Sequence, residues 1–128
     1  MAQALLVSVD IPIGAEILQI LDRAKVKVSV ALWAHLSEYE DWRLVLASRR
    51  FDALPTTMKA YGLLLGTMRA GGIPIEKEPP VMILPMTSPF IKDLRRRYAK
   101  SQNVEGLRPG GQLFGDRFVE DGYVYRIS

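Results

Sequence analysis

The stretch Val26-Lys27-Val28-Ser29-Val30-Ala31-Leu32-Trp33 decides the fold. Val26, Val28, Val30 and Leu32 alternate with Lys27, Ser29, Ala31 and Trp33, the two-residue period of a half-buried strand. The residues before it keep a different period. Ile13, Ile17, Ile20, Leu21 and Ala24 recur every three to four positions, as on one face of an α-helix. Asp10 is placed to cap that helix, Pro12 sits in its opening turn, and Arg23 and Lys25 suit the negative end of its dipole. A helix therefore hands over directly to a strand at Val26.

Alternation resumes at Trp42, Leu44 and Leu46, set against Arg43, Val45 and Ala47. The polar link Ser37–Asp41 is short, so the two strands are expected to pair antiparallel, with Trp33, Tyr39 and Trp42 packing across the hairpin. Further on, Pro55 opens a second helix with a buried stripe of Met58, Tyr61, Leu64, Leu65 and Met68, ended by Gly71-Gly72. Val81–Leu84 is apolar on both faces, the pattern of a central strand with Ile83 nearly fully buried. Ser88 and Pro89 begin a third helix that turns Ile91, Leu94 and Tyr98 inward. Asn103–Gln112 reads as a loop, and Asp121-Gly122 between two apolar alternating runs predicts a final hairpin.

The order αββαβαββ lacks a regular βαβ alternation. It predicts an α+β fold: one domain over residues 1–128, with about three helices on a mixed or antiparallel sheet of about five strands. A chain of 128 residues is the size of one domain and buries enough surface for a core without staples. There is no cysteine, which excludes disulfides, thiolate catalysis and Cys-based zinc sites. The apolar fraction is 48% and the mean hydropathy +0.06, so a homodimer interface is as reasonable an expectation as a well-filled core. The apolar run Ala4–Val9 is short and has no basic lead, unlike a signal peptide. No stretch approaches the ~18 apolar residues of a membrane span, so a cytoplasmic protein with no membrane partner is expected.

Charge is concentrated late in the chain. Between Thr87 and Arg108 lie Lys92, Arg95, Arg96, Arg97, Lys100 and Arg108 against Asp93 and Glu105, a local balance of +4 where the whole chain carries +3. The helical spacing turns Lys92, Arg95, Arg96 and Lys100 to solvent, and arginine forks match phosphate oxygens. The same cations also suit an ordinary solvated helix face. Next comes Gly106-Leu107-Arg108-Pro109-Gly110-Gly111-Gln112, then Gly115-Asp116-Arg117. Its glycines give the backbone freedom to cradle an anion, although the spacing matches neither the P-loop nor the dinucleotide-binding pattern.

Two further groups are weaker. Asp116, Glu120 and Asp121 are carboxylates around Arg117, but on a strand Asp116 and Glu120 lie too far apart for one metal, and no metal site is expected. The single histidine, His35, sits near Glu38, Glu40 and Asp41 with no nucleophile in a recognisable motif. Glu76-Lys77-Glu78, in a proline-bounded loop, lacks the spacing of a nuclease carboxylate set.

These readings order the functional expectations. The first is a non-enzymatic binding module that contacts nucleic acid or another polyanion through Lys92, Arg95, Arg96, Lys100 and Arg108. The second is a small enzyme for a phosphorylated substrate, with Arg108, Gly110, Gly111 and Arg117 clamping the anion and Asp116 or Glu120 as base. The third is a homodimeric interaction module. No cofactor is implied by any of them.

Overall fold

Val30–Leu36 is apolar at every position except His35, and in the structure it runs through the middle of the molecule. The structure is a computed structural model describing residues 11–101 and 103–128; the Asp10 cap and the Ala4–Val9 run lie outside them. The elements in chain order are α1 (Ile11–Arg23), β1 (Val30–Leu36), β2 (Asp41–Ala47), α2 (Arg49–Asp52), α3 (Thr57–Ala70), a 3-10 turn (Ile75–Lys77), β3 (Val81–Ile83), α4 (Pro89–Tyr98), β4 (Gln112–Phe114) and β5 (Arg117–Ile127). Together they form an α+β fold around one five-stranded mixed sheet in the order β3-β2-β1-β5-β4. Among the described residues only the β2–β3 pair is parallel, reached by a crossover through α2 and α3.

The sheet is covered on both sides, which explains β1. Ala31 and Trp33 face one core with Ile17, Leu21, Leu44, Leu46, Leu64 and Met68 from the α1 and α3 side. Val30, Leu32, Ala34 and Leu36 face the other, with Val45, Phe90, Ile91, Leu94, Phe114 and Val124 from the α4 side. Val26 and Val28 are buried but precede the strand, so the regular alternation begins before the hydrogen-bonded ladder does. The central and edge positions are also exchanged relative to the sequence reading. β3 is an edge strand and Ile83 is half-buried, because Val81–Ile83 bonds on one side only, to β2.

Other residues sit differently from expectation for local reasons. Met58 is 83% exposed, since α3 starts only at Thr57, capped by Thr56, and its first turn projects past the core. Ala24 is exposed because α1 has already ended at Arg23. Opposite Trp42 stands His35 rather than Trp33, and the Trp33 indole instead donates to the Tyr125 hydroxyl at 3.0 Å. Asp121-Gly122 is not a turn: the last hairpin turns at Gly115-Asp116, and β5 runs unbroken through Gly122.

β5 keeps both cores filled by two register shifts against β1. One lies between Ala31 and Leu32 and leaves Tyr125 as an extra residue. The other lies between His35 and Leu36 and does the same for Glu120. A bulge reverses the facing of the residues beyond it. Hence Ile127 and Val124 fill the α4-side core, while Tyr125 fills the opposite one and donates to the Ile11 carbonyl at 2.7 Å. Among the described residues, no helix is long and apolar enough to cross a membrane.

Candidate functional site

The glycine-rich stretch folds along the free side of β5. Gly106 N donates to Val124 O at 2.8 Å, Val124 N to Leu107 O at 2.9 Å, and Gly111 N to Glu120 O at 3.3 Å. Gly110 N is turned back onto Arg108 O at 2.9 Å. The N–H groups of Gly106, Gly110 and Gly111 therefore end on carbonyls of this chain and not on a shared open space. Gly111 does take a positive φ of 68°, as a tight turn needs. Its neighbour Gly110 lies so close to β5 that a Cβ would stand 2.9 Å from Glu120 O.

The arginines of this stretch are likewise engaged. Arg108 Nε donates to Gly122 O at 2.5 Å and its Nη2 reaches Asp121 Oδ2 at 2.6 Å. Arg117 pairs with Glu38 across the end of the sheet. Glu120 lies against His35, with Oε1 2.6 Å from Nδ1. The histidine's partner is thus Glu120, brought over by the register shift, and not the hairpin carboxylates nearby in sequence. Asp116 is exposed in the β4–β5 turn.

On α4, successive arginines point to different places. Ser88 caps the helix through Ile91 N, and Phe90, Ile91 and Leu94 are buried. Asp93 gathers Arg96, Arg97 and the backbone N–H of Gly115. The Gly115 N–H, with help from the two guanidinium groups, holds the Asp93 carboxyl below the ordinary range. Arg97 stacks over Phe114 at 4.7 Å and donates to Leu113 O and Gln112 Oε1, so it fastens α4 to β4. Arg96 keeps most of its surface in solvent while paired, and Lys92 and Lys100 are exposed and make no ion pair with a described residue.

Arg95 turns the other way, and its surroundings were not visible in the sequence. Its Nε donates to the Ser128 backbone oxygen at 2.7 Å. There it borders a cleft of about 500 Å3 lined by Lys25, Lys27, Ser29, Arg49, Arg50, Arg95 and Ser128. The floor is the end of the sheet. Ser128 N donates to Ser29 O and Ser29 N to Ala47 O, both at 2.9 Å, which joins the ends of β5, β1 and β2. Ser48, which precedes Arg49 in the chain, is fully buried. Its hydroxyl donates to Lys27 O at 2.5 Å and accepts from Arg50 N at 3.1 Å, so one residue ties the lysine stretch to the two arginines of α2.

Among the described residues, five cationic side chains thus line the cleft without a carboxylate side chain beside them, and one of the five, Arg95, is held by the Ser128 oxygen. None of Lys25, Lys27, Arg49 or Arg50 forms an ion pair with a described residue. Lys25 shows a further feature: it ends α1 with φ 65°, the left-handed position usually given to glycine. A lysine held there costs about 1–2 kcal/mol relative to an ordinary backbone. The only sequence signal for this site was the scattered Lys25, Lys27, Arg49 and Arg50, which no local motif joins. Among the described residues, no three histidine or carboxylate side chains come together as a metal site would require. No protein-family model, no curated protein and no solved structure matches this chain.

Proposed function

We propose that this protein is a non-enzymatic binding module for nucleic acid, which it holds through the sheet-end cleft and the exposed side of α4. One observation carries the reading: Lys25, Lys27, Arg49 and Arg50 line one concavity beside Arg95, whose Nε is held by a Ser128 oxygen, and among the described residues no acidic side chain shares that lining. Converging charges of one sign in a concave surface focus the field and attract a polyanion. Lys92, and Lys100 just beyond the helix, extend the positive surface from Arg95, while Arg96, one helical turn from Lys92, is exposed but shared with Asp93. A rise of about 5.4 Å per helical turn suits a partner whose phosphates repeat along a strand. Phosphate contacts position a strand without reading its sequence, so the expected binding has little sequence preference.

Fluorescence anisotropy with labelled single- and double-stranded oligonucleotides at about 50 mM salt tests the proposal, because neutralising several phosphates makes affinity fall steeply as salt rises. Absence of binding to every oligonucleotide under these conditions overturns it.

The enzyme reading gains less support. It needs open N–H groups at Gly110 and Gly111 and free guanidinium groups at Arg108 and Arg117, and all four residues are occupied within the chain. A homodimeric module is favoured by one separate feature, the groove between α1 and α3 lined by Ile20, Leu63, Gly62, Gly66 and Ala70. Light scattering at micromolar protein tests it; a monomeric mass at all concentrations overturns it.

A further inference from the structure

We infer that the sheet-end cleft receives a terminal phosphate monoester, the phosphorylated end of a strand, while the exposed side of α4 takes the internal phosphodiesters that follow. The inference rests on the nucleic-acid reading and deepens it. Its ground is a mismatch between the cleft and an internal phosphate. A phosphodiester carries one negative charge and two unesterified oxygens. A terminal monoester carries about −1.5 to −2 at neutral pH and three strong acceptor oxygens. The cleft brings three guanidinium groups, Arg49, Arg50 and Arg95, and two ammonium groups, Lys25 and Lys27, to one concavity. Guanidinium forks engage such oxygens in pairs, so a third free oxygen makes room for an arginine that a diester leaves unused.

The cleft also borders the end of the sheet. Ser29 and Ser128 line it, and their backbone is already paired, Ser128 N on Ser29 O and Ser29 N on Ala47 O. Among the described residues, the lining on that side offers a strand no further cations beyond Lys25, Lys27, Arg49, Arg50 and Arg95. On the α4 side Arg95 faces the cleft while Lys92 and Arg96 face outward, so one helix connects the end site to the track leading away from it. Finally, Lys25 occupies a left-handed position where glycine would relieve the backbone. Strain retained at a residue lining a concave site fits a side chain kept for what it binds.

The test compares one labelled single-stranded oligonucleotide in three forms: 5′-phosphorylated, 3′-phosphorylated and with both ends free, titrated with the full chain. Expected is about tenfold or more tighter binding of one phosphorylated form, as charge-assisted contacts to an added dianion require. The Arg49→Gln/Arg50→Gln protein is expected to lose that preference. In Lys92→Gln/Lys100→Gln all three forms are expected to weaken together. Equal affinity of the wild type for all three forms, with normal salt dependence, overturns the inference and leaves nucleic-acid binding intact. Binding of none of them overturns both. Inorganic phosphate separates an end site from a site for free phosphate. If it displaces the phosphorylated oligonucleotide at concentrations comparable to the oligonucleotide's own Kd, the strand contributes nothing and the inference fails.

Discussion

The glycine-rich stretch along β5 and the cleft at the sheet end both carry arginines, yet they dispose of their charge in opposite ways. Along β5, Arg108 is bound to Gly122 O and Asp121, Arg117 to Glu38, and the N–H groups of Gly106, Gly110 and Gly111 to backbone carbonyls. In the cleft, Lys25, Lys27, Arg49 and Arg50 have no ion-pair partner among the described residues, and Arg95 spends one N–H on a backbone oxygen. A count of cations along the chain does not separate these cases. What separates them is whether each charge is already answered inside the fold: the cations of the first region are, and Lys25, Lys27, Arg49 and Arg50 of the second are not paired with any described residue.

This contrast can be broken first where the structural region is tightest. Gly115 has φ 59°, and a Cβ there would run into the backbone of Pro89 and Phe90, which cannot move without shifting α4. Gly115→Ala is expected to cost about 3 kcal/mol or more in a urea melt. A loss below about 1 kcal/mol would show that the β4–β5 turn is not held against α4.

Asp93 is the next test, as the carboxylate on which Arg96, Arg97 and Gly115 N–H converge. Asp93→Asn is expected to cost about 1–2 kcal/mol at neutral pH, from weakened charge-assisted hydrogen bonds. The folded-state pKa values of Asp93, Asp22 and Asp41 are lowered, Asp93 chiefly by Gly115 N–H, Asp22 by Arg126 and Asp41 by Trp42 N–H. A lowered carboxyl pKa stabilises the fold above the unfolded value of about 3.9 and loses that contribution as pH falls through the folded value. Stability should therefore decline below about pH 4, and less steeply in Asp93→Asn than in the wild type. Parallel declines would remove Asp93 from this account.

A smaller effect of the same sign is expected at Gly111, where φ is 68° but a Cβ meets nothing within 4 Å. Only backbone strain is at stake, so Gly111→Ala should cost about 1 kcal/mol by chemical denaturation and leave oligonucleotide binding unchanged. Weakened binding at full stability would return the glycine stretch to the functional surface.

In the cleft the sign of the stability effect should reverse. Lys25→Gly relieves a left-handed non-glycine residue and is expected to raise stability by about 0.5–1 kcal/mol while weakening binding, the trade-off expected where a strained residue serves a ligand. The melting temperature and an anisotropy titration of this one protein read both effects. A less stable variant, or one that binds as well as the wild type, would count against a binding role for Lys25.

Much of this architecture was legible in the sequence. Periodicity located α1, the β1–β2 hairpin, α3, β3 and α4, because each is long or punctuated enough to show its own pattern. The pattern misled where burial comes from the sheet's surroundings. An apolar run such as Val81–Leu84 looks the same whether the strand is central or is an edge packed between layers. Tyr125 and Glu120 mark the positions where β5 shifts register against β1, a property of pairing with a distant strand that no local alternation records. Asp121-Gly122 has the composition of a hairpin turn but lies within β5, where Gly122 is pressed between Trp33 O and Pro109.

The candidate site divides in the same way. α4 and its basic residues Lys92, Arg95, Arg96 and Lys100 could be read from spacing, but the division among Arg95, Arg96 and Arg97 could not. One turns to the sheet end, one stays in solvent beside Asp93, and one lies over Phe114. Lys25, Lys27, Arg49 and Arg50 are brought to Arg95 by the end of the sheet and by Ser48, whose hydroxyl joins the Lys27 backbone to α2. That tertiary convergence is absent from any single stretch of the chain.

The claim that the cleft's cations are free for phosphate is tested most directly by the salt dependence of oligonucleotide binding, measured side by side for the wild type and for Lys27→Gln/Arg49→Gln/Arg50→Gln. Each phosphate contact to a single strand contributes about 0.7 to the slope of log affinity against log salt concentration. Removing three exposed cations should leave stability within about 0.5 kcal/mol and reduce the magnitude of that slope by about 2. A variant that is equally stable and binds with an unchanged slope would contradict the account, because the three charges would then be solvated surface and nothing more.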